Sequence, residues 1–176
     1  MNRIFLIGYM GAGKTTLGAP LAKALGFSFI DLDIYIENRY HKSINELFAL
    51  WGEHEFRKVE QKVLKEVSTF ERVVISTGGG TPCFFDNIKV MLTSGLTVYL
   101  EVSIYKLHQR LIHGKWKRPK LKNKTDAELL EFITTGLAER LTFYSQAHVF
   151  SSAENLESYS AISEAVEHIV SLVKQK

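Results

Sequence analysis

The sequence contains few of the residues that would indicate a disulfide-bonded, metal-binding or membrane protein. Its one cysteine, Cys83, excludes an internal disulfide and gives no metal-site spacing, so we interpret it as a buried or incidental thiol. The apolar run at residues 4–7 stops at Gly8, which is too short for a signal-peptide core or a membrane span. The net charge of +3 is too small to favour nucleic acid or a membrane surface as a partner. These features predict a cytoplasmic protein with no membrane or nucleic-acid partner.

Short apolar runs alternate with helical patterns along the chain. The runs predict buried strands at residues 4–7, 27–32, 73–76, 96–100 and 147–150. Leucines and alanines at helical spacing predict a first helix that ends at Gly26, and further helices are predicted at residues 84–92, 104–112, 127–143 and 161–173. The alternation predicts an α/β fold with three layers, in which a parallel sheet has helices on both faces. We expect one domain over residues 1–176, interrupted by a helical insertion at 34–70 and a lysine-rich flap at 113–124.

The segment from Gly8 to Thr15 matches the phosphate-loop pattern G-x-x-x-x-G-K-[ST] in full. A buried strand precedes it and an amphipathic helix follows, so its backbone N–H groups and the helix N-terminus are expected to bind phosphates. The alternative is a glycine-rich turn that binds nothing, and the motif alone does not separate kinases from GTPases, motors or regulatory ATPases. The residues predicted to bind the nucleotide here are Gly11, Ala12, Gly13, Lys14, Thr15 and Thr16.

Two aspartates, Asp31 and Asp33, stand where the second strand ends. Alternation along a strand predicts that both side chains point to the same side, near the phosphates. One carboxylate can then hold magnesium and the other can face an acceptor hydroxyl. In the alternative interpretation, Asp33 is only the N-cap of the next helix.

Two further segments are candidates for the acceptor side. On a helix, Arg57 lies one turn from Glu53 and nearly one turn from Glu60, so a carboxylate can fix the guanidinium for an anionic ligand. A solvated surface ion network is the alternative. Three glycines at residues 78–80 follow the third strand and predict a close backbone approach, either to a ligand or in a tight turn.

Arginines in the second half of the chain can act on anions. Arg118 lies in the basic flap, where it can close over the transferring phosphoryl group and exclude water. A nucleic-acid patch is the poorer explanation of this short run, although salt-dependent oligonucleotide binding would favour it. Arg140 lies late in a helix, with Glu139 and Tyr144 nearby, and is either a second anion ligand or a surface charge.

These ordered motifs resemble the shikimate kinase family over nearly the whole chain. The resemblance implies a five-stranded parallel sheet of order 2-3-1-4-5 in a P-loop kinase fold. It also implies transfer of the γ-phosphate of ATP to the 3-hydroxyl of shikimate, with ATP and Mg²⁺ required, on the pathway to chorismate and aromatic amino acids. A monomer is expected.

The resemblance also implies roles for individual residues. Lys14, Asp33 and Arg118 are the catalytic residues, with Lys14 and Arg118 on the phosphates and Arg110 against adenine. Thr15 and Asp31 hold magnesium. The residues implied to bind shikimate are Asp33, Arg57, Arg140, Gly79, Gly80, Glu60, Phe48 and Phe56.

Two other function classes remain open from the residues alone. Another small-molecule kinase, acting on gluconate or a nucleoside monophosphate, would share the architecture, although no additional phosphate-binding arginine set or base pocket is apparent. A nucleotide-binding regulator would bind ATP tightly but show little acceptor-dependent turnover.

Overall fold

A computed structural model describes residues 2–113 and 121–174. Its centre is a five-stranded sheet of order β2-β3-β1-β4-β5, in which every pair of neighbours is parallel. This order and the α/β class confirm the expectation from the sequence. The strands are β1 (Arg3–Ile7), β2 (Ser28–Asp31), β3 (Val73–Ser76), β4 (Leu96–Glu101) and β5 (Val149–Ser152).

The central strands are buried because helices cover the sheet. Residues 4–7 of β1 have no exposed surface, and all four residues of β3 are buried. Continuous apolar strands of this kind are typical of parallel sheets whose two faces are both covered. Since the carboxyl ends of parallel strands meet at one edge, the segments that follow β1, β2 and β3 lie side by side at that edge.

Seven α-helices and one 3₁₀ turn are described between and after the strands in residues 2–113 and 121–174. The first helix ends, as predicted, at Gly26, whose left-handed conformation caps it. Pro20 lies inside this helix, which nevertheless continues through it. The helices are α1 (Lys14–Leu25), α2 (Leu32–Tyr40), α3 (Ile44–Val67), α4 (Asn87–Ser94), α5 (Ile104–Ile112), α6 (Asp126–Tyr144) and α7 (Tyr159–Lys174), and the 3₁₀ turn is Thr81–Cys83.

The predicted helical insertion consists of α2 and α3. Ser43 begins α3 with a capping box, in which its hydroxyl accepts from the N–H of Glu46 and the Glu46 carboxylate accepts from the N–H of Ser43. Gly52 has φ 75° and ψ 169°, so α3 consists of two helical segments joined at a kink. The kink separates the segment that carries Phe48 from the one that carries Arg57.

Several boundaries differ from the sequence-based expectation, among them those of β2, β5 and α4. The second strand ends at Asp31, and Leu32 is already the first residue of α2. The last strand begins at Val149 rather than at residue 147, and α4 begins at Asn87 rather than at residue 84 because the 3₁₀ turn precedes it. The predicted flap includes residues 114–120, which lie outside the described part of the chain, so the domain plan with its flap stays a prediction. No helix among the described residues is long and apolar enough to span a membrane.

Candidate active site

The phosphate loop connects β1 to α1 at the carboxyl edge of the sheet. Gly13 precedes the helix with φ 90°, a left-handed conformation that favours glycine, and no side chain caps the helix N-terminus. The Lys14 ammonium donates to the carbonyl oxygens of Gly8 at 2.8 Å and Tyr9 at 3.0 Å, across the loop. The loop thus combines an uncapped helix N-terminus with a buried cation, the features that bind phosphate groups.

Thr15 and Asp31 meet beside this loop. The Thr15 hydroxyl donates to Asp31 Oδ2 at 2.7 Å, and Asp31 Oδ1 accepts from the backbone N–H groups of Asp33 and Ile34. A hydroxyl and a carboxylate on one side of a phosphate cavity fit a magnesium ion that keeps most of its water and phosphate ligands. No group of three His, Cys, Asp or Glu side chains in residues 2–113 and 121–174 could hold a metal by itself.

The contacts of Asp31 correct two interpretations made from the sequence. Asp31, and not Asp33, is the N-cap of α2. Asp33 lies in the first turn of that helix, so strand alternation is the wrong reason for placing the two carboxylates together. They nevertheless line the same cavity with Lys14 and Thr15, because the helix turns directly after the strand ends.

Asp33 has an unusual electrostatic environment. Burial raises the pKa of its carboxyl to about 6, assisted by the negative charges of Glu60 and Asp31 and opposed by Lys14. The residue lines the phosphate cavity and also a second cavity of about 620 Å³. It therefore lies at the junction of the two, with a pKa close to neutral pH.

The second cavity contains the guanidinium of Arg57. Its Nη1 donates to Glu60 Oε2 at 2.8 Å and its Nη2 to Glu53 Oε1 at 3.2 Å, as the spacing of the sequence predicts. Its Nε is buried and has no hydrogen-bond partner within residues 2–113 and 121–174, and the side chain lines the cavity. Three aromatic rings surround the guanidinium carbon: those of Phe84, Phe48 and Phe56, with centroids at 4.2, 5.4 and 5.5 Å. The guanidinium is thus held in a fixed orientation in the cavity wall, where it can face an anionic ligand.

Glu60 is itself held by the turn that follows β3. The Thr81 hydroxyl donates to Glu60 Oε1 at 2.6 Å, and both residues are almost completely buried. The Asn87 amide donates to the Thr81 carbonyl at 2.8 Å and so fixes the turn. A chain of contacts thus runs from α4 through Thr81 and Glu60 to Arg57.

Arg140 belongs to a different helix, α6, and lines the same cavity. Its guanidinium carbon lies 4.9 Å from the centroid of the Tyr9 ring. Nearby, the Tyr144 hydroxyl donates to the carbonyl oxygen of Gly79 at 2.6 Å, which fixes the glycine segment against α6. The cavity therefore has two arginines, one aspartate and glycine backbone in its wall.

The family is decided by comparison with known proteins. A family model described as shikimate kinase matches residues 10–174, and the shikimate kinase of Parabacteroides distasonis is 52% identical over 162 residues, which are 92% of this chain and 94% of that one. The chain belongs to the shikimate kinase family. A crystal structure of shikimate kinase from Bacteroides thetaiotaomicron is 48% identical over 98% of both chains, with a TM-score of 0.91. That of shikimate kinase from Acinetobacter baumannii in complex with shikimate is 31% identical over 99% of this chain and 94% of the other, with a TM-score of 0.85.

Family membership confirms the predicted reaction class, phosphate transfer from ATP. Of the predicted acceptor residues, the structure brings the following to one cavity: Asp33, Phe48, Phe56, Arg57, Glu60, Gly79, Gly80 and Arg140. The phosphate cavity contains Gly11, Gly13, Lys14, Thr15, Thr16 and Asp31. Ala12 is buried beneath the loop, and Arg118 lies outside the described residues.

Arg110, on α5, contacts the phosphate loop, and its hydrogen bonds restrict the adenine-binding role implied for it. Its nitrogens donate to Glu157 and to the carbonyl oxygens of Gly11, Ala153 and Glu154. Since its polar edge is used by the protein, Arg110 can offer adenine its planar face. In this member of the shikimate kinase family, Arg110 therefore links the segment before α7 to the phosphate loop.

Sequence reasoning missed two residues that support this site, Tyr9 and Thr81, and its interpretation of Cys83 as a buried or incidental thiol stays a prediction. Tyr9 occupies an unspecified position of the phosphate-loop pattern, and Thr81 follows the glycines without a motif of its own, so neither has a sequence signal. Cys83 is partly buried beside the cavity, and burial raises the pKa of its thiol to about 11. The thiol therefore stays protonated at neutral pH, in keeping with an incidental role.

Proposed function

We propose that the chain transfers the γ-phosphate of ATP to the 3-hydroxyl of shikimate, which gives shikimate 3-phosphate and ADP. The observation that carries this proposal is the position of Asp33, which lines both the phosphate cavity and the cavity with the two arginines. An acceptor hydroxyl beside Asp33 is next to the phosphate loop while an acceptor carboxylate can reach an arginine. Shikimate carries both groups on one small ring.

The donor side of the reaction rests on the phosphate loop. The loop N–H groups bind the phosphates, and Lys14 exchanges its contacts with Gly8 and Tyr9 for phosphate oxygens. Thr15 and Asp31 are the residues that would hold Mg²⁺, which when bound supplies positive charge to the phosphate oxygens. Arg118 is the residue proposed to neutralise charge on the transferring phosphoryl group.

The acceptor side rests on Arg57 and Arg140. Arg57 lines the cavity with its guanidinium already oriented by Glu53 and Glu60, which supports a role as a ligand of the shikimate carboxylate. Phe48 and Phe56 stack with centroids 4.1 Å apart and give the ring of the acceptor an apolar wall. Because the two arginines belong to different elements, they can fix the orientation of the acceptor and not only its charge.

Asp33 is proposed to accept the proton of the acceptor hydroxyl, or to orient it. A carboxyl pKa near 6 gives an ionised base at pH 7 that still has appreciable proton affinity. Phosphoryl transfer needs mainly positioning and charge stabilisation, so orientation of the hydroxyl is the larger part of this role.

The test is ADP release from ATP and Mg²⁺ with shikimate, gluconate or a panel of nucleoside monophosphates. We expect turnover with shikimate alone, and a phosphorus NMR spectrum that assigns the new ester to the 3-hydroxyl. Turnover with another acceptor and none with shikimate would contradict the acceptor assignment. ATP binding without turnover on any acceptor would support a regulator instead. The proposed cytoplasmic location and monomeric state are tested by fractionation of cells and by light scattering.

Replacing Arg57 with alanine tests the carboxylate contact. We expect the KM for shikimate to rise at least about thirtyfold, since a charge-assisted hydrogen bond is worth about 2 kcal/mol, while the KM for ATP changes little. The matched control is Arg39→Ala, which removes a half-exposed arginine that pairs with Glu66 outside the cavity. Equal increases in both KM values for Arg57→Ala would contradict the assignment.

A further inference from the structure

Tyr9 belongs to the phosphate loop but packs against the acceptor side of the protein. Only 1% of its surface is exposed. Its backbone carbonyl accepts from the Lys14 ammonium, whereas its hydroxyl donates to the carbonyl of Phe132, on α6, at 3.3 Å. One residue therefore contacts both the phosphate-binding lysine and the helix that carries Arg140.

Among the described residues, Arg140 has no carboxylate partner comparable to the two that hold Arg57. Arg57 is held by two glutamates, but within residues 2–113 and 121–174 no carboxylate forms an ion pair with Arg140. Its guanidinium carbon instead lies 4.9 Å from the Tyr9 ring centroid, within the range of a cation–π contact. Without an acidic partner in the described residues, Arg140 has two aromatic neighbours: the face of the Tyr9 ring, and Tyr144, whose hydroxyl interacts with the guanidinium.

The opposing helix has a glycine where the Tyr9 ring approaches. A Cβ atom at Gly136 would lie 2.7 Å from the Tyr9 hydroxyl oxygen, closer than such atoms can come. Glycine inside a helix costs about 1 kcal/mol relative to alanine, so the close approach has a cost in helix stability. Gly136 and Arg140 are four residues apart and therefore lie on the same face of α6, the face that meets Tyr9.

We propose that Tyr9 is a positioning residue for the acceptor: from within the phosphate loop, its ring holds Arg140 in the orientation that binds the shikimate carboxylate. The inference rests on the proposed function, in which Arg140 is a carboxylate ligand. A partly buried cation–π contact of this kind accounts for about a tenfold effect on acceptor binding. We expect the KM for ATP to change little, because it is the backbone carbonyl of Tyr9 that contacts Lys14, whereas the contacts of its side chain described above are with α6.

The test compares Tyr9→Leu with Tyr9→Phe in steady-state kinetics. We expect Tyr9→Leu to raise the KM for shikimate about tenfold and the KM for ATP less than about twofold. Tyr9→Phe keeps the aromatic face and should restore the shikimate KM to within about threefold of wild type. A purely structural role would instead lower kcat, or raise both KM values, in proportion to lost stability, which thermal unfolding measures.

A second measurement identifies the carboxylate as the group affected. The methyl ester of shikimate should bind wild type much more weakly than shikimate does, and this ratio should shrink in Tyr9→Leu because Arg140 is no longer oriented. An unchanged ratio would overturn the proposal. If Tyr9→Leu does not fold, Gly136→Ala displaces the ring more mildly and should raise the shikimate KM, whereas Thr135→Ala on the exposed side of α6 should not.

Failure of this inference differs from failure of the proposed function. A wild-type protein with no shikimate-dependent turnover would overturn the function itself. Wild-type activity together with an unchanged shikimate KM in both Tyr9→Leu and Gly136→Ala would overturn only the role of Tyr9.

Discussion

Replacing Thr81 with valine removes one hydroxyl from the buried contact that holds Glu60 beside Arg57. Valine has nearly the same shape, so the substitution leaves the packing in place and deletes the 2.6 Å hydrogen bond to Glu60 Oε1. Glu60 is 1% exposed, and water cannot readily replace the lost donor. A hydrogen bond to a charged group contributes about 1.5–3 kcal/mol, and we therefore expect a loss of about 2 kcal/mol in the free energy of unfolding.

The same substitution should weaken acceptor binding through Arg57. Without Thr81, Glu60 is held by Arg57 alone, and the pair can rotate together away from the cavity. We expect the KM for shikimate to rise about three- to tenfold, with the KM for ATP changed less than about twofold. Denaturant unfolding and initial-rate kinetics measure the two effects, and a loss of about 2 kcal/mol corresponds to a fall of about 4–8 °C in Tm for a chain of this size.

Two variants make the Thr81 experiment decisive. Thr81→Ser retains the hydroxyl and should recover most of both effects. Thr93→Val deletes an exposed threonine hydroxyl in α4 that donates only to backbone carbonyls, and should change stability by less than about 0.5 kcal/mol. Thr81→Val with wild-type stability and wild-type shikimate KM would refute the reasoning, because Glu60 would then be held by another contact.

Three predictions concern Asp33 and Pro20. Because the pKa of the Asp33 carboxyl is raised to about 6, kcat/KM for shikimate should fall about tenfold per pH unit below that value and level off above it; a flat profile down to pH 5 would contradict the role of ionised Asp33. The pKa of Asp33 in the folded protein also exceeds its ordinary value of 3.8, so its ionisation lowers the free energy of unfolding as the pH rises from about 4 to 6. Asp33→Asn should therefore be nearly inactive yet more stable at pH 7, by up to about 3 kcal/mol in urea unfolding. A less stable variant would argue against this cost. Pro20→Ala should stabilise the protein by about 2 kcal/mol, because the exposed proline inside α1 lacks a backbone N–H donor. The restriction that proline places on the unfolded chain offsets only a smaller part of this loss. An unchanged urea midpoint would show that the helix has adapted to the proline.

The sheet could be predicted because its central strands are short and apolar and alternate with helical patterns. The final strand could not be placed as well. It was expected from residue 147, but its pairing with β4 starts at Val149 and includes Ser151 and Ser152. His148 instead accepts the backbone N–H of Thr97 through Nδ1, at 3.1 Å. A hydrogen bond between residues 51 positions apart decides where this edge strand begins, and periodicity along the chain does not contain that information.

Most residues of the site could be predicted from the sequence, but the contacts between them could not. The sequence offered Asp33 as a helix N-cap, whereas in the structure Asp31 is the N-cap because its Oδ1 accepts from the N–H groups of Asp33 and Ile34. Arg57 with its glutamates could be found because they share one helix and three- or four-residue spacing. Tyr9 could not, because its partners Phe132 and Arg140 are more than a hundred residues away and have no spacing to read.

The glycine segment after β3 limits how the acceptor cavity can change over evolution. A Cβ atom at Gly78 would lie 2.9 Å from Asp33 Oδ1, and one at Gly80 would lie 2.8 Å from Arg57 Nη2. A larger side chain at Gly78 or Gly80 would displace the groups proposed to bind the acceptor. We therefore expect both positions to remain glycine. The opposite wall, around Ile44 and Phe48 at the start of α3, consists of side chains that can vary one at a time. New acceptor preferences in descendants of this protein should therefore arise in that first segment of α3, while the glycine wall persists.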